Sequence, residues 1–204
     1  MEFILEIPNQ LPSDLCKDLI KRFEVDPDKY PGKVAAGRND PTTKRSVDLG
    51  ITSNKRFKDL DTKLYARLKD GLLLYQRHLG TKLNHISNYE FLIEQLLRAT
   101  CDTGYQMQRI KKGDFYIWHN DYSPNSDRLI AFIWYLNKLD GGKGGTTDFY
   151  CNKSIQPEEG KLLIFPATWT YIHQGVKNET DDDKYIITGF IVKNDNNNNK
   201  EMKS

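Results

Sequence analysis

The 204-residue chain places an imidazole and a carboxylate two positions apart at His119-Asn120-Asp121. On a β-strand, residues two apart point to the same face, so this pair can address one metal ion together. One further histidine would complete a facial set of two imidazoles and a carboxylate, which leaves positions open on the ion and suits non-haem Fe(II). Alone, H-x-D is equally the pattern of a polar pair at a strand end. The other histidines are His78, His85 and His173. His78 closes a long helical pattern, where the helix dipole favours it, and His85 stands among Lys82, Asn84 and Ser87 in a polar loop. His173 follows a strand-like stretch from Trp169, far enough past Asp121 for the chain to cross a sheet and return. Lys184 opens Lys184-Tyr185-Ile186-Ile187-Thr188-Gly189-Phe190, a segment apolar on both faces and therefore a central strand. An ammonium at the head of a buried strand needs a carboxylate partner. The acidic run Asp181-Asp182-Asp183 just before it also allows a plain solvated strand end.

These residues need elements to position them. Phe3, Leu5 and Ile7 alternate and predict a first strand. Leu15, Leu19, Ile20 and Phe23 predict an amphipathic helix over Asp14–Phe23. Residues 25–50 read as a loop with a short strand near Arg45–Leu49. Phe57, Leu60, Leu64, Leu68, Leu72 and Tyr75 predict a long helix from Ser53 to His78, with Gly80 as its stop. Tyr89–Leu97 is a further helical or mixed stretch. After Gly104 the texture is short strands: Tyr105–Ile110, Phe115–Asp121, Arg128–Leu136, Asp148–Cys151, Lys161–Phe165, Thr168–Gln174 and Lys184–Val192. Turn clusters separate them, among them Ser123-Pro124-Asn125 and Gly141-Gly142. Helices first and then an all-β core predict an α+β chain with an antiparallel sandwich or jelly roll. We expect one domain over 1–193, with helical support to about residue 100 and the β core from about 101, and a disordered Asn-rich tail over 194–204.

Composition excludes several classes. A chain of this length buries roughly 70% of its unfolded surface and needs no disulfide staples. Lys and Arg number 30 against 28 Asp and Glu, a net charge of +2, which argues against a nucleic-acid binder relying on bulk charge. No apolar run approaches the ~20 residues of a membrane span, and the start MEFILEIPNQ lacks the basic region of a signal peptide. The cysteines Cys16, Cys101 and Cys151 are odd in number and widely spaced, as in a reduced cytoplasmic protein.

The stretch from Tyr105 to Val192 resembles the catalytic core of the Fe(II)/2-oxoglutarate-dependent dioxygenases, in their prolyl 4-hydroxylase-like branch. The resemblance runs through GDFYIWHND (113–121), RLIAFIWYLN (128–137), GGTTDF (144–149), PEEGKLLIFP (157–166), HQG (173–175) and KYIITGF (184–190). It implies a double-stranded β-helix, a jelly-roll or cupin-like barrel, behind supporting helices. It implies His119, Asp121 and His173 as iron ligands and catalytic residues, Lys184 as the partner of the distal carboxylate of 2-oxoglutarate, and Thr147 as its support. Arg128 and Tyr185 match positions near the substrate, and Tyr116 and Trp134 are aromatic candidates for the same role. The family's usual tyrosine before the glycine turn is missing, since Arg109 and Ile110 stand there, so Gln108 or Arg109 is expected to replace its hydrogen bond. The implied reaction takes O2 and 2-oxoglutarate to succinate and CO2 while hydroxylating a peptidyl proline or similar side chain, with ascorbate as reductant. A free amino acid or small metabolite as substrate, and a non-catalytic binding module, are the alternatives. Lysine rather than arginine at position 184 weighs against nucleic-acid substrates, and Asp121 favours hydroxylation over halogenation. The loops Tyr122–Asp127 and 25–50 are the expected lids.

Overall fold

The structure is a computed structural model, and it describes residues 2–34, 37–122, 127–139 and 143–194. The Ser123-Pro124-Asn125 and Gly141-Gly142 turns, most of the expected 122–127 lid and the tail from residue 195 lie outside the described residues. Among the described residues three α-helices and twelve strands, with a 3-10 turn at Lys55–Phe57 leading into α2, follow in the order β1 (Leu5–Ile7), α1 (Ser13–Val25), β2 (Tyr30–Pro31), β3 (Val47–Gly50), α2 (Lys58–Leu83), α3 (Tyr89–Leu97), β4 (Thr100–Asp102), β5 (Gln106–Ile110), β6 (Tyr116–His119), β7 (Arg128–Tyr135), β8 (Thr147–Phe149), β9 (Lys153–Ile155), β10 (Leu162–Pro166), β11 (His173–Gly175) and β12 (Lys184–Lys193).

The strands form two antiparallel sheets. The larger has eight strands in the order β1-β10-β7-β12-β5-β3-β2, with β4 also on β12. The smaller runs β6-β11-β8-β9. The doubly apolar β12 is central, between β7 and β5, as its composition predicts. The separation into helices first and strands afterwards does not hold, because β1, β2 and β3 come from the N-terminal half and extend the large sheet.

Alternation along the central strands builds two cores. Ile130, Phe132 and Trp134 of β7 pack with Leu19 and Phe23 of α1 and Leu64 and Leu68 of α2. Ala131, Ile133 and Tyr135, on the opposite face, pack with Phe149 and Ile155 of the small sheet. Each such side chain contributes roughly 1.5–3 kcal/mol by leaving water. Helix α1 ends where Asp26 turns extended before Pro27, a residue that disfavours helical geometry in its predecessor.

Three expectations need correction. Helix α2 runs through Gly80 to Leu83, since Gly80 keeps helical backbone and the Tyr89 ring lies 3.6 Å from where its Cβ would be. Of the expected strand Thr168–Gln174 only His173 and Gln174 are in a strand, β11, which continues to Gly175; a turn closed by Tyr171 N–H to Thr168 O precedes it. Strands β4 and β9 appear at positions with no alternating pattern, held by pairing with β12 and β8.

Helix α2 lies against the large sheet at Gly71, where a Cβ would meet Leu162 Cδ2 at 2.5 Å. Gly71→Leu is therefore expected to cost about 2 kcal/mol through overpacking, roughly 4–8 °C in Tm for a chain of this size. An unchanged melting temperature would show this contact to be slack.

Candidate metal centre

Pairing of β6 with β11 sets His119 directly opposite His173, and pairing of β11 with β8 sets Phe149 on the other side of His173. Asp121 follows His119 by two residues, just past the strand end. The ligand atoms of His119, Asp121 and His173 all lie within 4.8 Å of one another, with His173 Nε2 at 3.7 Å from Asp121 Oδ2. His119 Nδ1 donates to Ile117 O at 2.7 Å and His173 Nδ1 to Tyr171 O at 3.0 Å. Carbonyls only accept, so both Nδ1 atoms carry the proton and both Nε2 lone pairs are available to an ion. The ring of His173 is wedged between Phe149 and Phe165, and Tyr116 stacks on His119 with centroids 3.6 Å apart.

The electrostatics are those of a cation site. Burial, with the neighbouring His173, pushes His119 down to about 3. Burial pushes the Asp121 carboxyl above its usual range, against the pull of His173 and Arg128. A dication held by these residues would supply the missing charge and keep the carboxylate ionised.

The three ligands face a cavity of about 460 Å3. Thr147, Lys184, Gln108, Tyr116 and Arg128 line it as well. Lys184 is only 3% exposed, and its ammonium lies 5.5 Å from the centroid of the Tyr135 ring. It makes no hydrogen bond or ion pair among the described residues, so none of them supplies the carboxylate partner expected from the sequence. Burial pushes its pKa down to about 8, partly offset by Asp148. Next to it, Tyr135 OH donates to Thr147 Oγ1 at 2.7 Å, which leaves the threonine proton free for another acceptor. Gln108 Nε2 donates to Gln106 Oε1 at 2.8 Å. Arg128 lays its guanidinium 3.8 Å from the Phe190 ring centroid and donates to Asp121 O at 3.3 Å.

Three expected site residues lie elsewhere. Arg109 points away from the cavity, to Glu24 Oε2 at 2.8 Å, because Gln108 and Ile110 on either side of it line the cavity. Tyr185 alternates with Lys184 and Ile186 in the same way, packing on Phe23 and donating to Glu24 Oε1 at 2.9 Å. Trp134 faces the helices, where its Nε1 donates to Gln10 Oε1 at 2.5 Å. Of the other aromatics near the motif, Trp118 and Trp169 are exposed, while Tyr122 stands at the cavity wall.

The sequence reading missed one group. Lys44, on the cavity wall, is ion-paired to the fully buried Asp48 at 2.9 Å, and Ser46 Oγ donates to the same carboxylate at 2.7 Å. Backbone bonds from Arg45 N–H to Phe115 O and from Ile117 N–H to Thr43 O tie this segment to β6. Lys44, Ser46 and Asp48 are spaced two apart, the period that puts side chains on one face of an extended segment.

Residues 105–192 match the family model described as the 2OG-Fe(II) oxygenase superfamily. No curated protein matches the sequence. The fold is similar to that of a Trichoplax adhaerens prolyl hydroxylase in complex with a hypoxia inducible factor oxygen degradation domain peptide fragment, at 18% identity and TM-score 0.73, over 100% of this chain and 88% of that one. A Pseudomonas putida prolyl-4-hydroxylase is similar at 18% identity and TM-score 0.69, over 95% and 94%. The viral collagen prolyl hydroxylase of Paramecium Bursaria Chlorella virus-1, as its 2OG complex, is similar at 18% and 0.64, over 94% and 96%.

An unpartnered buried ammonium costs stability. With its native pKa about 8, below its unfolded value, Lys184 binds fewer protons when folded, so its cost is fully present below pH 8 and is relieved as pH rises toward 10.5. Lys184→Met is expected to stabilise the ligand-free protein at pH 7 by on the order of 3 kcal/mol, with the gain vanishing above about pH 10. Denaturant titrations across that range measure it, and a destabilised variant at pH 7 would show that the ammonium is already satisfied.

Proposed function

We propose that this 2-oxoglutarate-dependent dioxygenase, whose residues 105–192 belong to the 2OG-Fe(II) oxygenase superfamily, hydroxylates a peptidyl proline or a similar side chain. The observation that carries the reading is the meeting of an open three-ligand set and an unpartnered buried lysine in one cavity. His119, Asp121 and His173 would hold Fe(II) at the cavity wall. Fe(II) with 2-oxoglutarate and O2 supplies the oxidising power, through decarboxylation to succinate and CO2 coupled to hydroxylation.

The chain's own residues bind and orient. Lys184 pairs with the distal carboxylate of 2-oxoglutarate, an anion that relieves its burial cost. The free Thr147 proton and the Gln108 amide are the hydrogen-bonding groups beside it. Arg109 has no part in this, being turned to Glu24. The Tyr116 ring holds His119 from behind, and Arg128 faces the substrate at the cavity wall. In this reading the two sheets are the halves of a double-stranded β-helix, and residues 1–193 act as one domain. A peptide substrate is favoured over a free metabolite by the likeness to a prolyl hydroxylase caught with a peptide fragment. Ascorbate as external reductant and a cytoplasmic, reducing location belong to the same proposal. For the location, the supports are three unpaired cysteines and, among the described residues, no helix long and apolar enough to cross a membrane.

The test is succinate formation by anaerobically Fe(II)-reconstituted protein, on exposure to O2 with and without a proline-rich peptide. Peptide-stimulated succinate with a +16 Da peptide product is expected. His173→Ala is expected to lose both metal binding and turnover while keeping its fold, and Lys184→Ala to raise the 2-oxoglutarate requirement far more than that for iron. Undiminished turnover in His173→Ala, or iron-loaded protein that forms no succinate, would overturn the assignment.

A further inference from the structure

Strand β6 does not pair evenly with β11. His119 opposes His173 and Tyr116 opposes Gly175, so three steps along β6 are matched by two along β11. The extra residue makes a β-bulge. In a regular strand, residues three apart face opposite ways. Here the bulge brings the Tyr116 and His119 rings to one side, where they stack with centroids 3.6 Å apart. A bulge interrupts its ladder and re-aims a side chain, so it must be held from elsewhere. Burial of its own residues does not hold it, since Ile117 and Trp118 are exposed.

The hold comes from the segment before β3. Lys44 forms an antiparallel bridge with Tyr116. Bonds from Arg45 N–H to Phe115 O at 2.9 Å and from Ile117 N–H to Thr43 O at 3.0 Å close the backbone on either side of that bridge. Lys44 and Tyr116 are therefore a non-hydrogen-bonded pair, the kind whose side chains approach most closely. The Lys44 ammonium lies 5.6 Å from the centroid of the Tyr116 ring. It is itself fixed from behind. It donates to Asp48 Oδ2 at 2.9 Å, while Ser46 Oγ donates to Asp48 Oδ1 at 2.7 Å. Gly32 packs so closely over these side chains that a Cβ there would collide with Ser46 Oγ and lie 3.2 Å from Lys44 Cε. Lys44 and Asp48 are both buried. Buried ion pairs often return no net stability relative to apolar side chains, so stability alone does not account for this one.

We propose, resting on the metal centre read above, that the Lys44–Asp48 pair positions the ligand His119: anchored on Asp48, Lys44 holds the Tyr116 ring, and the ring holds the His119 imidazole at the bulge. Lys44 and Asp48 are positioning residues, acting through Tyr116 as groups behind a metal-bound histidine do. A direct electrostatic action would have the opposite sign. A lone ammonium on the wall would repel a dication, whereas the pair carries no net charge.

The experiment is Co(II) titration of the full chain, followed by the d–d absorption of the bound ion, so that binding is read apart from turnover. The test protein combines Lys44→Met with Asp48→Asn. Removing both partners strands neither charge, so the fold and its melting temperature are expected to survive. The net charge of the wall is also unchanged, so a shift in affinity reports geometry. Co(II) binding is expected to weaken about tenfold. Tyr116→Ala should weaken it as much, and the triple variant no more than Tyr116→Ala alone, because the groups act in one line. At saturating Fe(II), the 2-oxoglutarate requirement of the pair variant should be unchanged, since Lys184 and Thr147 stand on other strands. Unchanged Co(II) affinity in the pair variant, or losses that add in the triple variant, would overturn the proposal. So would a pair variant that unfolds or melts far lower, which assigns the pair to stability. An unaltered chain that binds no Co(II) would remove the metal centre and this proposal together; Co(II) binding with the expected losses but no succinate formation would remove the hydroxylase reading alone.

Discussion

The candidate site depends on one cross-strand register. His119 opposes His173 because β6 and β11 pair as they do, and a slip of one residue would turn His173 to the other face of the sheet. Both strands are short, so this register cannot rest on their own hydrogen bonds. Packing fixes it from two sides. Phe149 and Phe165 hold the His173 ring, and the segment Thr43–Arg45 is bonded to the backbone of Phe115 and Ile117. Behind that segment stands the buried pair of Lys44 and Asp48. Breaking a buried pair by removing one partner costs about 3–5 kcal/mol, so the clamp resists loosening. The N-terminal half thus bears on the proposed metal ligand His119 through the backbone of Phe115 and Ile117 and through the charge of Lys44.

The same region stores unfavourable electrostatics. Asp121 is half-buried with its carboxyl pushed up, and Lys184 is buried with its ammonium pushed down, only partly offset by Asp148 and with no ion pair among the described residues. A folded protein tolerates such groups only where the surrounding core supplies a surplus, here the two layers of apolar side chains on either face of β7. Opposite charge brought by a dication and a dicarboxylate relieves both groups at once. The groups least comfortable in the free protein are those that the proposed ligands need, which is how affinity is gained from strain already present.

Much of this was legible in the sequence. The i, i+2 pair His119 and Asp121, the doubly apolar β12 and the helical stripe from Leu60 to Tyr75 each carry their period openly. Arg109, Trp134 and Tyr185 did not, although the same alternation applies to them. Once Lys184 faces inward, Tyr185 faces the helices, and once Gln108 lines the cavity, Arg109 cannot. The signal was hidden because β5, β7 and β12 are covered on both faces, by helices and by the small sheet, so polarity no longer distinguishes inside from outside. Strands β4 and β9 are set by partners distant in sequence and leave no local trace. Lys44, Ser46 and Asp48 carried a readable period of two, concealed in a stretch rich in turn residues.

These placements divide the labour along the chain. The proposed metal ligands, Lys184 and Thr147 all fall within residues 105–192, the portion that matches the superfamily model. The lining residues Lys33, Val34, Gly37 and Lys44 fall before it. Residues proposed to hold an ion and a dicarboxylate answer to ligands that do not change, whereas a wall built by a segment between β2 and β3 can vary without disturbing the central strands. The Lys44–Asp48 pair joins the two parts, being at once cavity wall and anchor of β6. A change in the wall that spares this pair would alter what is bound; a change that breaks it would reach His119 through Tyr116, so selectivity and metal geometry are independent only up to that residue.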